Sequence, residues 1–197
     1  MYKIIKWLLD KIVALFLLII LFPVFIIIGI LIKITSKGPI IFKQERVGKN
    51  KKHFMMYKFR TMKLNTPSDK PTNLLNESNK YITKIGKFLR KTSLDELPQL
   101  INILFNQMSF IGPRPVLYTE IELIEEREKY FANSVYPGLT GLAQVNGRDT
   151  LNYKEKAKFD GIYANKITFL LDLKIFIKTI KIVLTKEGII EGNSNNK

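Results

Sequence analysis

The chain has 197 residues and a net charge of +15, because 32 Lys and Arg residues outnumber 17 Asp and Glu residues. It contains no cysteine and one histidine, which argues against a disulfide framework, a thiol nucleophile and a multi-histidine zinc site. The positive charge indicates an anionic partner, which could be nucleic acid, anionic lipid or a phosphorylated ligand. A lysine-rich composition can also follow from a low-GC genome, so charge alone does not select among these partners.

An uncharged apolar segment covers residues 12–32 and contains one proline, Pro23, near its middle. Its length matches the ~20 residues with which a straight helix crosses a bilayer. No small-residue cleavage site follows the segment, so we expect a retained membrane anchor rather than a signal peptide. Proline removes one helical hydrogen bond and clashes with the preceding turn, so we expect the helix to break at Pro23 into two short halves.

Two topologies are compatible with this apolar segment. A spanning helix with a proline kink is common in membranes, but it would export either the N-terminal lysines or the whole basic domain. A re-entrant hairpin that enters and leaves on one side exports neither. The basic residues that flank the segment are Lys3, Lys6, Lys11, Lys33, Lys37 and Lys43. The flanks make a hairpin plausible, and the residues alone leave both topologies open.

The rest of the chain predicts a mixed fold that is mostly helical. Residues 40–47 and 53–60 are typical of two strands joined by a short polar turn, which predicts a β-hairpin. Residues 65–79 are polar and proline-containing, which is typical of a surface loop. Helices are predicted at residues 80–91, 93–105, 118–131, 153–165 and 168–185. The last of these is amphipathic with a basic face, so it could lie in a membrane interface or pack on the core with its lysines in solvent.

The strongest local candidate for chemistry is the adjacent carboxylate pair Asp95 and Glu96. Ser93 and Glu96 fit a capping box, and acidic residues in a first turn complement the helix dipole, so a structural role is a good explanation. The functional alternative uses the same position. A carboxylate near cations stays ionised and can hold Mg²⁺ or attack an electrophilic phosphorus.

Two loops offer weaker signals. Arg114 stands between two prolines, which fix the backbone around a guanidinium that suits bidentate phosphate binding, although a rigid turn with an exposed arginine explains the pattern equally. The segment 137–148 contains three glycines, the side-chain amides of Gln144 and Asn146, and Arg148. Such a loop could bring backbone amides close to a phosphate or a base. It matches neither the dinucleotide-binding nor the P-loop pattern.

Seven short motifs follow one another along the chain, at residues 38–42 (GPIIF), 57–62 (YKFRTM), 90–99 (RKTSLDELPQ), 106–115 (NQMSFIGPRP), 137–141 (PGLTG), 144–148 (QVNGR) and 169–174 (FLLDLK). Each motif is modest alone, but the ordered combination covers nearly the whole chain without a large gap. In this order, the motifs resemble those of the small monotopic phosphoglycosyl transferases, the PglC-like bacterial sugar transferase family.

The resemblance implies a reaction. A UDP-sugar and polyprenol phosphate give polyprenyl diphospho-sugar and UMP, the first membrane step of glycoconjugate assembly. By the resemblance, Asp95 is the nucleophile that forms an aspartyl-phosphosugar intermediate, and Glu96 is its partner in holding Mg²⁺ or activating the lipid phosphate. The residues that would bind the phosphates and the uridine are Arg90, Arg114 and Arg148, with Lys58, Arg60, Gln144 and Asn146 as further substrate-binding candidates.

The resemblance also implies an architecture. The fold class is α+β and mostly helical, with a re-entrant membrane helix-break-helix at residues 1–34 and a cytoplasmic catalytic domain at residues 35–197. Amphipathic interfacial helices and a small β-hairpin would surround an active site on the cytoplasmic face of the bacterial inner membrane. The family's usual break is a Ser-Pro pair, whereas this chain has Phe22 before Pro23.

The expected partners are a UDP-sugar, polyprenol phosphate and membrane lipid, without nucleic acid. A homo-oligomer or contact with later glycosyltransferases of the pathway is left open, and neither the sugar nor the pathway is readable from the residues. The alternative from another class is a membrane-anchored basic adaptor that binds anionic lipid or nucleic acid without chemistry. It would explain the charge and the anchor but leaves the carboxylate pair and the loops as coincidences.

Overall fold

The computed structural model of the chain describes residues 2–66, 80–147 and 150–185. In these ranges the fold is α+β and mostly helical, with two small two-stranded sheets, which confirms the predicted class. The helices are α1 (Tyr2–Ile20), α2 (Phe22–Thr35), α3 (Lys84–Lys91), α4 (Gln99–Leu104), α5 (Ile121–Glu128), α6 (Tyr153–Asn165) and α7 (Phe169–Thr185), and the strands are β1 (Ile41–Val47), β2 (His53–Phe59), β3 (Ser109–Ile111) and β4 (Gly138–Thr140). Most of the predicted loop at residues 65–79 lies outside the described residues.

The N-terminal segment forms two helices that meet at an angle of 61°. Within the described ranges, no single helix has both the length and the hydropathy needed to cross a membrane, and α1 and α2 meet that test only as a bent pair. The break falls at Leu21 and not at Pro23, which lies in the first turn of α2. The amides of a first turn have no acceptor within the helix, so a proline, which has no amide hydrogen, is tolerated there. The predicted short halves are also wrong. The helices extend beyond the apolar segment to Tyr2 and Thr35, giving lengths of ~28 Å and ~21 Å.

Each helix of the bent pair packs one narrow face on a different part of the molecule. Ala14 of α1 is buried in a cluster with Leu100 and Ile103 of α4. Ile32 of α2 is buried in a second cluster with Phe59 of β2 and Leu89 of α3. The opposite faces of the pair are apolar and exposed, through Ile12, Leu15, Phe16, Ile19, Phe22, Ile26, Ile27 and Ile30. The pair is therefore attached to the domain while most of its apolar surface stays uncovered by protein.

A polar network ties the first turns of α1 to the start of α7. Asp172 accepts hydrogen bonds from the hydroxyl groups of Tyr2 at 2.6 Å and Tyr163 at 2.9 Å. The ammonium group of Lys6 lies 3.2 Å from Asp172 and 3.5 Å from Asp10. These carboxylates and the lysine are largely buried, so the network joins the two ends of the described chain through directional contacts.

The predicted β-hairpin is confirmed. β1 and β2 pair antiparallel in a register that places Phe42 opposite Lys58 and Val47 opposite His53. The fully buried Asn102 of α4 fastens β2 in place, because its side-chain amide accepts from the backbone of Tyr57 at 3.0 Å and donates to the backbone of Met55 at 2.8 Å. α4 thereby sets the position of the strand residue that follows, Lys58.

The helix predicted at residues 93–105 is wrong. The chain instead forms a 3₁₀ turn, Leu94–Glu96, followed by α4, which begins after Pro98. Ser93 adopts a left-handed conformation with φ of 56°, and its side chain caps no amide, so the predicted capping box does not form. The turn is 3₁₀ because the amide of Leu97 donates to the carbonyl of Leu94 at 3.3 Å, and Pro98 has no amide hydrogen with which to continue an α-helical ladder from Leu94.

The other predicted helices differ mainly in length. α3 and α5 are shorter than the segments 80–91 and 118–131, and α3 begins at Lys84 because the Thr83 side chain accepts from the amide of Gly86 at 2.9 Å. α6 matches residues 153–165 and begins with a capping box between Asn152 and Glu155. α7 matches residues 168–185 to within one residue.

The glycine-rich loop contains a strand that the sequence analysis missed. β4 pairs parallel with β3, with Ser109 opposite Gly138. A Cβ atom on Gly138 would lie 2.1 Å from the amide nitrogen of Gly112, and one on Gly141 would lie 2.0 Å from the Gly112 carbonyl oxygen. These two glycines permit backbone packing against Gly112, which is a structural use of positions first interpreted as a phosphate or base contact.

Candidate active site

Asp95 occupies the centre of the 3₁₀ turn between α3 and α4. Its side chain is buried, with 8% of the residue exposed. Among the described residues its carboxylate accepts no hydrogen bond. Burial raises the pKa of the Asp95 carboxyl above its usual value, and the positive charge of Lys58 is the largest influence that lowers it. The turn therefore presents a desolvated carboxylate beside cations that favour its ionised form.

Glu96 and Lys58 form the tightest contact of this cluster. The ammonium nitrogen of Lys58 lies 2.7 Å from Oε1 of Glu96, with both side chains largely buried. Burial lowers the pKa of the Lys58 ammonium, whereas the charge of Glu96 raises it. A charge-assisted hydrogen bond of this length holds Glu96 in one orientation next to Asp95.

Arg114 reaches the same carboxylate from the proline-rich loop. Its Nη2 atom lies 3.5 Å from Oε1 of Glu96, and its side chain is 40% exposed. The structure therefore brings together Lys58, Asp95, Glu96 and Arg114 from three separate segments. An arginine fixed at its backbone and partly open to solvent is suited to bind a phosphate that approaches the two carboxylates.

Arg90 borders the cluster at the end of α3. Its Nε atom donates to the Thr61 hydroxyl at 3.0 Å, and its Nη2 atom contacts the sulfur of Met62 at 3.1 Å. The Arg90 charge is one of those that lower the pKa of Asp95. The predicted position of Arg90 beside the carboxylate pair is thus compatible with a phosphate-binding role.

Arg46 is a member of the cluster that the sequence analysis missed. Its Nη1 atom donates to the Pro115 carbonyl at 3.2 Å. Burial and the nearby charge of Arg114 together lower the Arg46 pKa to about 10, against the opposing influence of the Glu120 and Glu96 carboxylates. The alternation of β1 could have revealed it, because Arg46 stands on the same face as Phe42, the partner of Lys58.

A buried ion pair contacts the backbone of the loop that carries Arg114. Nη2 of Arg127 lies 2.6 Å from Oδ2 of Asp160 and also donates to the backbone carbonyl of Arg114 at 3.0 Å. Arg127 and Asp160 are 5% and 0% exposed. No local pattern distinguishes them, because α5 appears in the sequence only as an acidic amphipathic helix and the pair joins residues 33 positions apart.

The structure does not bring three of the predicted substrate-binding residues, Arg60, Gln144 and Asn146, into the cluster. The Arg60 guanidinium is buried and donates to the carbonyls of Ser36 and Lys37 at 2.8 Å, so it closes the end of α2. The amides of Gln144 and Asn146 donate to the backbone carbonyls of Leu139 and Leu142 within their own loop. Arg148 lies outside the described residues.

The donor set at this site fits magnesium in one specific way. The described ranges contain no group of three or more His, Cys, Asp or Glu residues arranged to hold a metal ion. Asp95 and Glu96 supply two adjacent carboxylates, and Mg²⁺ commonly binds through one or two carboxylates together with substrate phosphates and water. The site therefore suits an ion that arrives with a phosphorylated substrate.

Comparison with known proteins identifies relatives of the whole chain. The profile of the family described as bacterial sugar transferase matches residues 1–186. The sugar transferase EpsL of Bacillus subtilis (strain 168) is 39% identical over 190 residues, which cover 96% of this chain and 92% of EpsL.

Two longer relatives carry substrate names. The UDP-glucose:undecaprenyl-phosphate glucose-1-phosphate transferase of Klebsiella pneumoniae is 41% identical over 87% of this chain, and the undecaprenyl-phosphate galactose phosphotransferase of Salmonella typhimurium (strain LT2) is 37% identical over 91%. The matched regions are 38% and 40% of those two proteins, so the chain spans about two fifths of each.

The family profile and the identity to EpsL over almost its full length agree, and the chain belongs to the bacterial sugar transferase family.

Proposed function

We propose that this transferase moves a sugar 1-phosphate from a UDP-sugar to polyprenol phosphate and releases UMP. The names of the Klebsiella and Salmonella relatives support this substrate pair, since both refer to undecaprenyl phosphate and the Klebsiella name also refers to UDP-glucose. The observation that carries the proposal is the buried carboxylate of Asp95, which accepts no hydrogen bond among the described residues and faces Lys58 and Glu96. A desolvated carboxylate beside cations that favour its ionised form is suited to attack phosphorus.

In the first step of this proposal, an oxygen of Asp95 attacks the sugar-bearing phosphorus of the UDP-sugar. A new bond forms between that oxygen and phosphorus, and the bond to the bridging oxygen breaks. UMP departs with the electron pair, which leaves an aspartyl-phosphosugar. The partial burial of the site limits competing attack by water on this acyl phosphate.

In the second step, an oxygen of the polyprenol phosphate attacks the same phosphorus. The bond between phosphorus and Asp95 breaks, the carboxylate is regenerated, and the product is polyprenyl diphospho-sugar. Glu96, held by Lys58 at 2.7 Å, acts beside the nucleophile and orients or activates the incoming lipid phosphate.

The cations around Asp95 and Glu96 have separate roles in this proposal. Arg114 and Arg90 bind phosphate oxygens beside the carboxylates, and Lys58 balances the charge of Glu96. Arg148 contacts phosphate or uridine in this proposal by the family resemblance alone. Electrostatic stabilisation of this kind provides most of the rate enhancement in phosphoryl transfer.

Asp95 and Glu96 would hold Mg²⁺ together with the diphosphate of the substrate. When bound, the ion neutralises charge that otherwise makes a carboxylate and a diphosphate repel each other. Arg90 and Arg114 reduce the same repulsion without a metal, so the protein shares this task with the ion.

The bent α1–α2 pair serves in this proposal as a re-entrant anchor in the bacterial inner membrane, with the site on the cytoplasmic face. The exposed apolar faces of α1, α2 and α7 support this placement, because large uncovered apolar surfaces mark contact with lipid or protein. Exposed apolar residues of α7 include Phe169, Leu170, Phe176, Ile177 and Leu184. Such an arrangement holds Asp95 where a soluble UDP-sugar and a lipid-borne phosphate can both reach it.

The deciding experiment measures UMP release by the full chain in detergent or nanodiscs, with a panel of UDP-sugars, polyprenol phosphate and Mg²⁺. We expect UMP with at least one sugar. With UDP-sugar alone, we expect less than one equivalent of UMP and a mass increase of one sugar phosphate on the Asp95 peptide. Absence of UMP with every sugar would favour the non-catalytic adaptor, and UMP without a modified Asp95 peptide would remove the covalent step.

A further inference from the structure

Three consecutive backbone carbonyls of the Arg114 loop each accept one hydrogen bond. The Pro113 carbonyl accepts from the amide of Gly138 at 2.8 Å. The Arg114 carbonyl accepts from Nη2 of Arg127 at 3.0 Å, and the Pro115 carbonyl accepts from Nη1 of Arg46 at 3.2 Å. Because prolines have no amide hydrogen and a fixed φ, this loop is positioned mainly through its carbonyls.

The middle contact is the one that bears most directly on the Arg114 side chain. Asp160 fixes the orientation of the Arg127 guanidinium, because Nε and Nη2 both donate to Oδ2 of Asp160, at 2.8 Å and 2.6 Å. Both members of this pair are buried, and Oδ1 of Asp160 has no hydrogen-bond partner among the residues that the structure describes. The pair is costly to bury, so a purely structural role would be served as well by apolar side chains of similar volume.

We infer that Arg127, held in place by Asp160, is a positioning residue that aims Arg114 at the substrate phosphates. The inference rests on the proposed function of Arg114 as a phosphate-binding group. Arg127 touches the backbone of Arg114 and not the reacting atoms. A small rotation of the Arg114 carbonyl would move the guanidinium away from Glu96, to which it extends over 3.5 Å.

The test compares the effect of Arg127 in two backgrounds. Arg127→Met, Arg127→Lys and Asp160→Asn are made in the wild type and in Arg114→Ala, and UMP release is measured against UDP-sugar concentration. In the wild-type background we expect Arg127→Met and Asp160→Asn to raise KM for the UDP-sugar about tenfold, with kcat within about threefold. Arg127→Lys can keep its charge near Asp160 but not the fork, so it should recover part of the loss.

In the Arg114→Ala background we expect the same substitutions to change KM by less than about twofold, because residues that act through one another are not additive. Equal effects in both backgrounds would overturn the inference. Lys129→Gln is the matched control, since it removes an exposed cation at the end of α5 that pairs with Glu126 in the described part of the chain, and it should leave KM unchanged.

Two further readings keep the outcomes distinct. Thermal denaturation of each variant identifies any that fail to fold, and Arg127→Lys then carries the comparison because it conserves charge and most of the volume. A wild type that releases no UMP contradicts the proposed function. A wild type that releases UMP, with Arg127 and Arg114 acting independently, contradicts this inference alone.

Discussion

The ammonium group of Lys58 lies 2.7 Å from the carboxylate of Glu96, across 38 positions of sequence. The contact joins the second strand of the hairpin to the turn that carries Asp95. The Lys58 ammonium group orients Glu96, and its positive charge is the largest influence that lowers the pKa of Asp95.

Replacing Lys58 with Met should lower kcat/KM for the UDP-sugar by at least ~10²-fold at neutral pH. Burial already raises the pKa of Asp95 and Lys58 lowers it, so loss of the lysine raises that pKa further. If the ionised Asp95 is the nucleophile, the acidic limb of the pH profile of kcat/KM moves to higher pH. Lys58→Arg retains the charge and should leave the limb close to its wild-type position. An unchanged limb in Lys58→Met would argue against Lys58 as the cation that keeps Asp95 ionised.

Asp95→Asn should abolish turnover while preserving or raising thermal stability. We expect UMP release to fall on the order of 10⁴-fold, as for loss of a nucleophile. Burial raises the pKa of Asp95 in the folded state above its unfolded-state value, so ionisation of this carboxyl opposes folding. The free energy of unfolding is therefore higher below the unfolded-state pKa and decreases as the pH rises through the folded-state pKa. Asn removes the penalty at neutral pH. Thermal denaturation in metal-free buffer tests this, and a Tm several degrees below wild type would contradict it.

Divalent metal affinity should depend on the nucleotide. Since the described ranges contain no three-carboxylate group, we expect Mn²⁺ measured by electron paramagnetic resonance to bind weakly to the protein alone. Addition of UDP-sugar should increase the affinity by at least about tenfold, because phosphate oxygens complete the coordination. Removal of divalent ions with EDTA should stop UMP release, and Mg²⁺ should restore it. Tight Mn²⁺ binding without nucleotide would indicate a preformed metal site instead.

Lys6→Met should destabilise the attachment of α1 to the domain. The substitution leaves the buried carboxylates of Asp10 and Asp172 without the lysine that lies within 3.5 Å of both. Breaking a buried pair in this way costs about 3 kcal/mol. This corresponds to a decrease in Tm of roughly 6–12 °C for a chain of this size. Lys3→Met removes an exposed lysine from the same turn and should change Tm by less than about 2 °C. Similar shifts for both variants would show that the buried network does not stabilise the junction.

Topology can be tested with single cysteines, because the chain contains none. Lys3 and Lys52 are exposed and lie before and after the bent pair, so Lys3→Cys and Lys52→Cys avoid the hydrogen-bonded Tyr2. In intact cells, a re-entrant hairpin leaves both cysteines protected from a membrane-impermeant maleimide, and both become labelled after permeabilisation. Labelling of one position alone in intact cells would show that the pair spans the membrane.

Elements that depend on local patterns were predictable from the sequence. The hairpin follows from two short β-type runs around a polar turn, and α6 has the bounds of the helix predicted at residues 153–165. The segment 93–105 was not predictable in this way. Most of its residues suit a helix, but residues 94–96 form a 3₁₀ turn and α4 begins only after Pro98, so the way the two pieces join is decided by the fold around the buried Asp95.

The candidate site shows the same division. The adjacency of Asp95 and Glu96 is visible in the sequence, and so is the rigid backbone around Arg114. The pairing of Arg127 with Asp160 is not visible, because neither residue has a local motif and their contact requires α5 and α6 to pack together. Arg60 illustrates the reverse case, since a basic residue that suits a phosphate site instead closes the end of α2.

By itself, the sequence determined the apolar N-terminal segment, the carboxylate pair and the order of motifs that identifies the family, because these features depend on residue type and short spacing. Only the tertiary structure decided where this segment bends and which cations surround Asp95. It also decided that the loop of Arg114 is held through three carbonyls. These features depend on contacts between distant segments, whose geometry is set by burial and hydrogen bonding across the whole chain.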